Sequence, residues 1–210
     1  MTIEEYCLNH SSLPASLDAL EWIEHQTHIR TSRARMLCGR EAGGLLSAIS
    51  RMVAPQRILE LGVFTGYSTV CLAEGLADGG TVDAIEINDE LEDIIREGYE
   101  KAGISKKVNL LLGNALDIIP SLDGPYDLIY IDANKRQYPE YWALVADKVR
   151  PGGVIIADNT TWDGKVIEEP APRDAQSVGI LEFNDMVAAD NRFSTIMLPL
   201  RDGMTISIRR

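Results

Sequence analysis

The 210 residues, 45% hydrophobic and 25% charged, suit one folded domain with a real core and exclude a disordered segment as the default. A net charge of −12 with no Lys/Arg run argues against nucleic acid, whose phosphates need clustered cations, and the longest apolar runs, such as 154–157, are far too short to span a membrane. Cys7, Cys38 and Cys71, odd in number and widely spaced, imply neither a disulfide framework nor a zinc knuckle, and Glu4 and Glu5 stand where a secretory leader would be apolar, so a cytoplasmic protein is expected.

Roughly the first 50 residues read as helical, with Ser12-Leu13-Pro14 as a helix start, and are expected to cap a site or form a dimer surface ahead of a catalytic core over 51–210. His25 and His28 lie three apart there and read as solvated or dimer-surface residues. Short β-branched runs then predict strands at 57–61, 82–87, 108–112, 128–132 and 154–158. Their apolar character is nearly continuous, as in strands covered on both faces. Amphipathic helices are predicted between them at 68–76, 89–102, 115–122 and 138–149, the second capped by Asn88-Asp89 and the fourth stopped by Pro151-Gly152-Gly153. Repeated β-α-β with short connections makes a parallel, doubly wound α/β sheet. The last runs, 193–200 and 204–209, flank Arg201-Asp202-Gly203 and read as an antiparallel hairpin, giving five parallel strands plus a hairpin.

The first strand ends in Glu60-Leu61-Gly62-Val63-Phe64-Thr65-Gly66-Tyr67-Ser68. Its glycines let the backbone turn tightly against a ligand. Glu86, about 20 residues beyond Gly66 at the end of the second strand, is placed to accept ribose hydroxyls, which marks an adenosine-type ligand. Dinucleotide binders use G-x-G-x-x-G to seat a pyrophosphate, whereas this loop spaces its glycines G-x-x-x-G behind an acid that would repel one. A ligand bearing a sulfonium and an ammonium suits it better. The plainer alternative is a structural turn above a buried, satisfied Glu60.

Asp132 and Asp158 stand at the ends of the fourth and fifth predicted strands, and Asn159 follows directly. If those strands neighbour the first, both carboxylates face the crevice at the topological switch point, where their repulsion calls for a cation. Two carboxylates and an amide carbonyl are hard oxygen ligands suited to Mg²⁺, with Mn²⁺ or Ca²⁺ as alternatives. Each Asp could instead cap its own turn.

Several segments together carry a specific resemblance: ILELGVFTGYS at 58–68, AIEIN around Glu86, GNALDIIP at 113–120, DLIYIDANKRQY at 127–138, RPGGVIIADNTTWDG at 150–164 and the closing MLPLRDGMTISIRR. From about Arg35 to its C-terminus the chain resembles the cation-dependent, S-adenosylmethionine-dependent O-methyltransferases of the caffeoyl-CoA and catechol type. The resemblance implies a Rossmann-like seven-stranded sheet, a homodimer, a metal on Asp132, Asp158 and Asn159, and donor contacts from Cys38, Glu60, Gly62, Val63, Ser68, Glu86, Ala115 and Asn134. It places Lys135 as the catalytic lysine beside Asp132, and Asp163 on the substrate side.

The implied reaction moves a methyl group from S-adenosylmethionine, leaving S-adenosylhomocysteine, to a hydroxyl of a small catechol-like acceptor. A phenol ionises near pH ~10, so a cation holding both oxygens of a vicinal diol and a base at Lys135 would each help to remove the proton. Trp162 and Tyr138 are candidates to flank an aromatic acceptor, with ordinary packing as the alternative. The rival functions are a nicotinamide-dependent oxidoreductase and a non-catalytic binding module of the same fold.

Overall fold

The computed structural model describes residues 1–12, 14–171 and 173–210. Three helices come first: α1 (Ile3–Asn9), α2 (Leu17–Arg30) and α3 (Gly39–Val53). Thr2 and Glu5 close a reciprocal capping box on α1. The expected helix start at Ser12-Leu13-Pro14 includes Leu13, outside the described residues, and α2 itself begins at Leu17.

Strand and helix then alternate: β1 (Arg57–Leu61), α4 (Tyr67–Ala73), β2 (Thr81–Glu86), α5 (Glu92–Lys101), β3 (Val108–Leu112), α6 (Ala115–Ile118), β4 (Tyr126–Ile131), α7 (Tyr138–Val145) and β5 (Val149–Asp158). A long helix, α8 (Ala175–Ala189), precedes β6 (Phe193–Leu198) and β7 (Met204–Arg209). The strands form one sheet in the order β3-β2-β1-β4-β5-β7-β6, with β1 to β5 parallel and β7 alone running against its neighbours. The chain turns left from β1 through β2 to β3, then restarts on the other side of β1 with β4, so the switch point lies between β1 and β4.

Strand alternation divides the core. Ile58, Val82, Leu128, Tyr130, Val154 and Ile156 face the layer of α2 to α5, while Leu59, Leu61, Ile85, Ile129, Ile131 and Ile155 face α6 to α8. Most of these side chains are fully buried, each worth roughly 1.5–3 kcal/mol relative to exposure. Among the described residues no helix is long and apolar enough to cross a membrane.

Three expectations are corrected. The helix predicted over 138–149 ends at Val145, and the chain re-enters the sheet at Val149, because Tyr126 pairs with Val149 before a register shift restores the pairing at Leu128. Pro151-Gly152-Gly153 therefore lies inside β5 rather than stopping a helix. Helix α8 was not anticipated at all. Asp174 caps it, accepting from the Ser177 backbone N–H and hydroxyl at 3.1 and 2.7 Å.

Candidate active site

The predicted residues gather at the carboxyl edge of the sheet because parallel strands end there together. Gly62 follows β1 at φ +90°, and a Cβ on it would stand 2.3 Å from the Asp132 carbonyl oxygen. Only glycine lets the loop after β1 close onto the chain leaving β4. Gly66, at φ +91°, packs likewise against Tyr99, which would lie 2.9 Å from a Cβ.

Glu60 is fully buried under this loop, its two oxygens accepting from the hydroxyls of Ser68 and Thr69, both at 2.5 Å. Tyr99 donates in turn to Thr69 at 2.9 Å. This is the satisfied carboxyl that the plainer sequence alternative describes: Glu60 and Ser68 brace the loop from beneath. Thr65, at the tip, is tied to α2 by a 2.8 Å hydroxyl contact with Thr27, and both are fully buried. Val63 is buried in the same loop. Glu86, at the end of β2, accepts the backbone N–H of Phe64 at 2.7 Å and of Asn88 at 2.9 Å, so it links the loop to its own strand. A carboxylate has about four lone-pair sites, so further donors can still be received.

Burial pushes the Glu60 carboxyl up to about 7, with Asp132 and Glu86 adding to the shift against the two hydroxyl bonds. Its folded value exceeds its ordinary one, so the fold prefers the protonated form. Stability is then fullest below about pH 4.5 and is lost as pH rises through about 7, a change on the order of 3 kcal/mol for this group. Asp158 contributes to the same decline, so the difference between variant and wild type isolates Glu60. Glu60→Gln should visibly flatten the pH profile of denaturant midpoints between about pH 5 and 7.5. An unchanged slope would place that titration elsewhere.

Asp132 and Asp158 follow β4 and close β5, neighbouring strands beside β1. Asp158 is buried at 4% exposure, accepting from the Tyr130 hydroxyl at 3.1 Å and the Asn159 backbone N–H at 2.7 Å. Burial first, and the Asp132 charge second, raise its carboxyl well above the usual range. The Asp132 charge therefore reaches Asp158 across the crevice. Lys135 is held against Asp132: it is 9% exposed, its Nζ lies 2.5 Å from Asp132 Oδ1 and 5.2 Å from the Tyr138 ring centroid. Gly179 of α8 supports it from behind, where a Cβ would meet the Lys135 carbonyl oxygen at 2.5 Å. Tyr138 donates to the Asp158 carbonyl at 2.9 Å, locking the ends of β4 and β5 together rather than standing free beside an acceptor.

Asn159 sits in left-handed backbone at φ +61°, as do Trp162 at +45° and Asp163 at +54°. That segment is held by the turn between β6 and β7: Thr160 donates to the Gly203 carbonyl at 3.0 Å and Thr161 to the Asp202 carbonyl at 2.7 Å. Asp163 is exposed, and no hydrogen bond among the described residues ties it to the two acids. Cys38, the N-cap residue of α3, is buried, and its thiol is raised well above its ordinary value by burial, then by Cys71, Asp132 and Asp158. Ala115 opens α6, and Asn134 caps the short turn of Lys135–Gln137, both beyond strand ends on the same edge. The two histidines, by contrast, are exposed on α2.

Sequence reasoning missed Tyr130, Thr69, Thr27 and Tyr99. Tyr130 had a usable signal, since residues two apart on a strand share a face and it precedes Asp132 by two. The others depend on packing between α2, α4 and α5, which leaves no local pattern.

A family model described as O-methyltransferase matches residues 10–210. Caffeoyl-CoA O-methyltransferase 2 of Petunia hybrida is 32% identical over 98% of this chain and 89% of its own length. Caffeoyl-CoA O-methyltransferase 1 of Nicotiana tabacum is 35% identical over 83% of this chain and 77% of its own. Among solved structures, the O-methyltransferase of Bacillus cereus in complex with SAH is 28% identical with a TM-score of 0.88, covering 99% of this chain and 97% of that one. The SAH-bound methyltransferase of Podospora anserina has a TM-score of 0.89 at 28% identity, covering 99% and 94%. The oxidoreductase alternative is left without support, and the chain belongs to the O-methyltransferase family.

Proposed function

We propose that this chain transfers a methyl group from S-adenosylmethionine to one hydroxyl of a small vicinal aromatic diol, with a divalent cation assisting. The observation that carries the reading is the pair of carboxylates at neighbouring strand ends, Asp132 and Asp158, with a buried lysine held against Asp132. Support for the donor comes from the glycine loop with Glu86 behind it, and from relatives of this fold solved with SAH or SAM.

The donor set fits a hard cation. Asp132, Asp158 and the side-chain carbonyl of Asn159, the residue next to Asp158, would be the protein ligands. Three oxygen donors leave positions for water or both oxygens of a diol. When bound, such a cation would favour ionised hydroxyls, and the sulfonium of the donor supplies an already activated methyl group.

The chain's own residues do the rest. Glu86 and the Gly62 loop hold the donor's sugar and orient its methyl group toward the crevice. In its unprotonated form the Lys135 amine, held beside Asp132 and walled by the Tyr138 ring, receives the proton of the acceptor hydroxyl as the oxygen–methyl bond forms and the sulfur–methyl bond breaks. Tyr130 holds Asp158 in place through its hydroxyl.

Methyl transfer across a panel of vicinal diols and matched monophenols, with and without EDTA, tests this. Diols should turn over at least tenfold faster than monophenols, and EDTA should stop the reaction until Mg²⁺ or Mn²⁺ is restored. Equal rates for both acceptor types, or full activity without metal, would remove the diol-and-cation reading. In the same preparation Glu86→Ala should weaken S-adenosylmethionine binding roughly tenfold by calorimetry, one lost charge-assisted contact.

A further inference from the structure

Arg201 lies in the turn between β6 and β7, which Leu200 O closes by accepting Gly203 N–H at 2.8 Å. Arg201, at φ +50°, and Gly203, at φ +86°, both take left-handed backbone here, and of the two only the arginine carries a side chain. Left-handed backbone disfavours any residue with a Cβ and tends to persist where function holds it. The turn cannot drift, because a Cβ on Gly203 would stand 2.5 Å from the Thr161 nitrogen and the Thr160–Trp162 backbone is bonded to it.

From this anchored turn the guanidinium crosses to the segment before α3. Its Nη2 donates to the Leu37 carbonyl at 3.3 Å, and Nη1 lies 4.0 Å from where a Gly39 Cβ would be. Cys38, buried between Leu37 and Gly39, therefore stands beside the guanidinium, and its thiol is subject to the charges of Asp132, Asp158 and Arg201. Arg201 is exposed, forms no ion pair among the described residues, and uses one of five donors. A tether to Leu37 alone would need neither the charge nor the strained backbone.

The neighbouring chain is a basic island in an acidic protein. Residues 25–40 contain no Asp or Glu but four arginines, in a molecule of net charge −12. Arg30 pairs with Glu97 at 3.4 Å, while Arg33, Arg35 and Arg40 are exposed without an ion pair among the described residues.

We propose that Arg201 reads an anionic substituent, a carboxylate or a phosphate, on the methyl acceptor, with the arginines of 33–40 drawing that charge toward the crevice. The inference rests on the diol reading above and narrows it to acidic diols. Arg201 is a specificity residue, and the chemistry stays with Lys135 and the two acids.

The test compares initial rates for wild type, Arg201→Gln and Arg201→Lys on two acceptor pairs. One pair is 3,4-dihydroxybenzoate against its methyl ester. The other is a dihydroxycinnamoyl thioester of coenzyme A against the same acyl group on N-acetylcysteamine. Wild type should favour the anionic member of at least one pair by about tenfold or more in kcat/KM, carried in KM and shrinking with added salt. The pair that shows the effect identifies carboxylate or phosphate. Arg201→Gln should bring the ratio toward one, and Arg201→Lys should recover part of it. Melting temperatures confirm folding, and Arg201→Gly, which suits the left-handed turn, should melt no lower than wild type while losing the discrimination. No anion preference in wild type, or a wild-type ratio in Arg201→Gln, overturns the proposal. If no diol is methylated at all, the diol reading falls, and calorimetry with 3,4-dihydroxybenzoate then decides on Arg201. Binding lost in Arg201→Gln upholds the anion site, and equal or absent binding in both proteins rejects it.

Discussion

Asp158→Asn is expected to lower turnover by roughly 10³-fold while making the metal-free protein more stable at pH 7. The activity loss follows from removing a charged oxygen where a cation is worth several kcal/mol, at 1.36 kcal/mol per tenfold. The stability gain follows from the structure: the Asp158 carboxyl is 4% exposed, raised by burial and by Asp132, so the fold holds its charged form at a cost. With a folded value above the unfolded one, that cost is absent below the ordinary carboxylate range and grows as pH rises through the folded value. Asparagine keeps the shape, accepting from the Asn159 N–H and leaving Tyr130 a partner. Turnover and thermal melting on one preparation, with EDTA, check both halves. A variant that loses activity and stability together would mean that Asp158 is a structural cap and not a ligand.

Gly62→Ala should cost about 2–5 kcal/mol, a sum of the left-handed backbone penalty and forced overpacking. The new methyl would meet the Asp132 carbonyl at 2.3 Å, with the Asp132 carbon and Ala133 Cα at 2.7 and 3.0 Å. Relief requires the loop or the chain after β4 to move, and Asp132 moves with it. Activity should fall further than the folded fraction alone explains. Gly79→Ala separates the two costs, since Gly79 shares a positive φ of +76° but has open space around its Cβ position. It should lose only the backbone share, with turnover close to wild type. Denaturant melts and rates at a temperature where both variants stay folded provide the comparison, and similar losses in the two would disprove the close-approach argument.

Much of this architecture was legible from local pattern. Near-continuous apolar runs marked β1 to β5, and Asp-Gly marked the hairpin, because burial on both faces and positive-φ turns leave direct traces in composition. The carboxylates at 132 and 158 were legible as strand-end residues once parallel order was assumed. Helix ends were not, since the apolar spacing from Tyr138 runs on to Val149 and only pairing with Tyr126 makes Val149 a strand residue. Helix α8 escaped because its packed face includes Ser177 and Gly179 beside Ile180, Phe183 and Val187, small residues that break the expected apolar stripe. The bracing of Glu60 by Ser68 and Thr69 depends on how a glycine turn folds a helix back over its strand, which spacing alone does not show.

The turn of Arg201–Gly203 has a consequence for biogenesis. The loop bearing Asn159 leans on backbone that is synthesised more than 40 residues later, and β7 must insert beside β5 before that support exists. Long-range pairing of this kind closes late, after the helix-rich N-terminal portion has had time to collapse. A nascent chain that has emerged only through α8 can hold β1 to β5 and both acids, but lacks the backbone partners of the loop bearing Asn159. Methyl-transfer competence should thus appear only once β6 and β7 have joined the sheet.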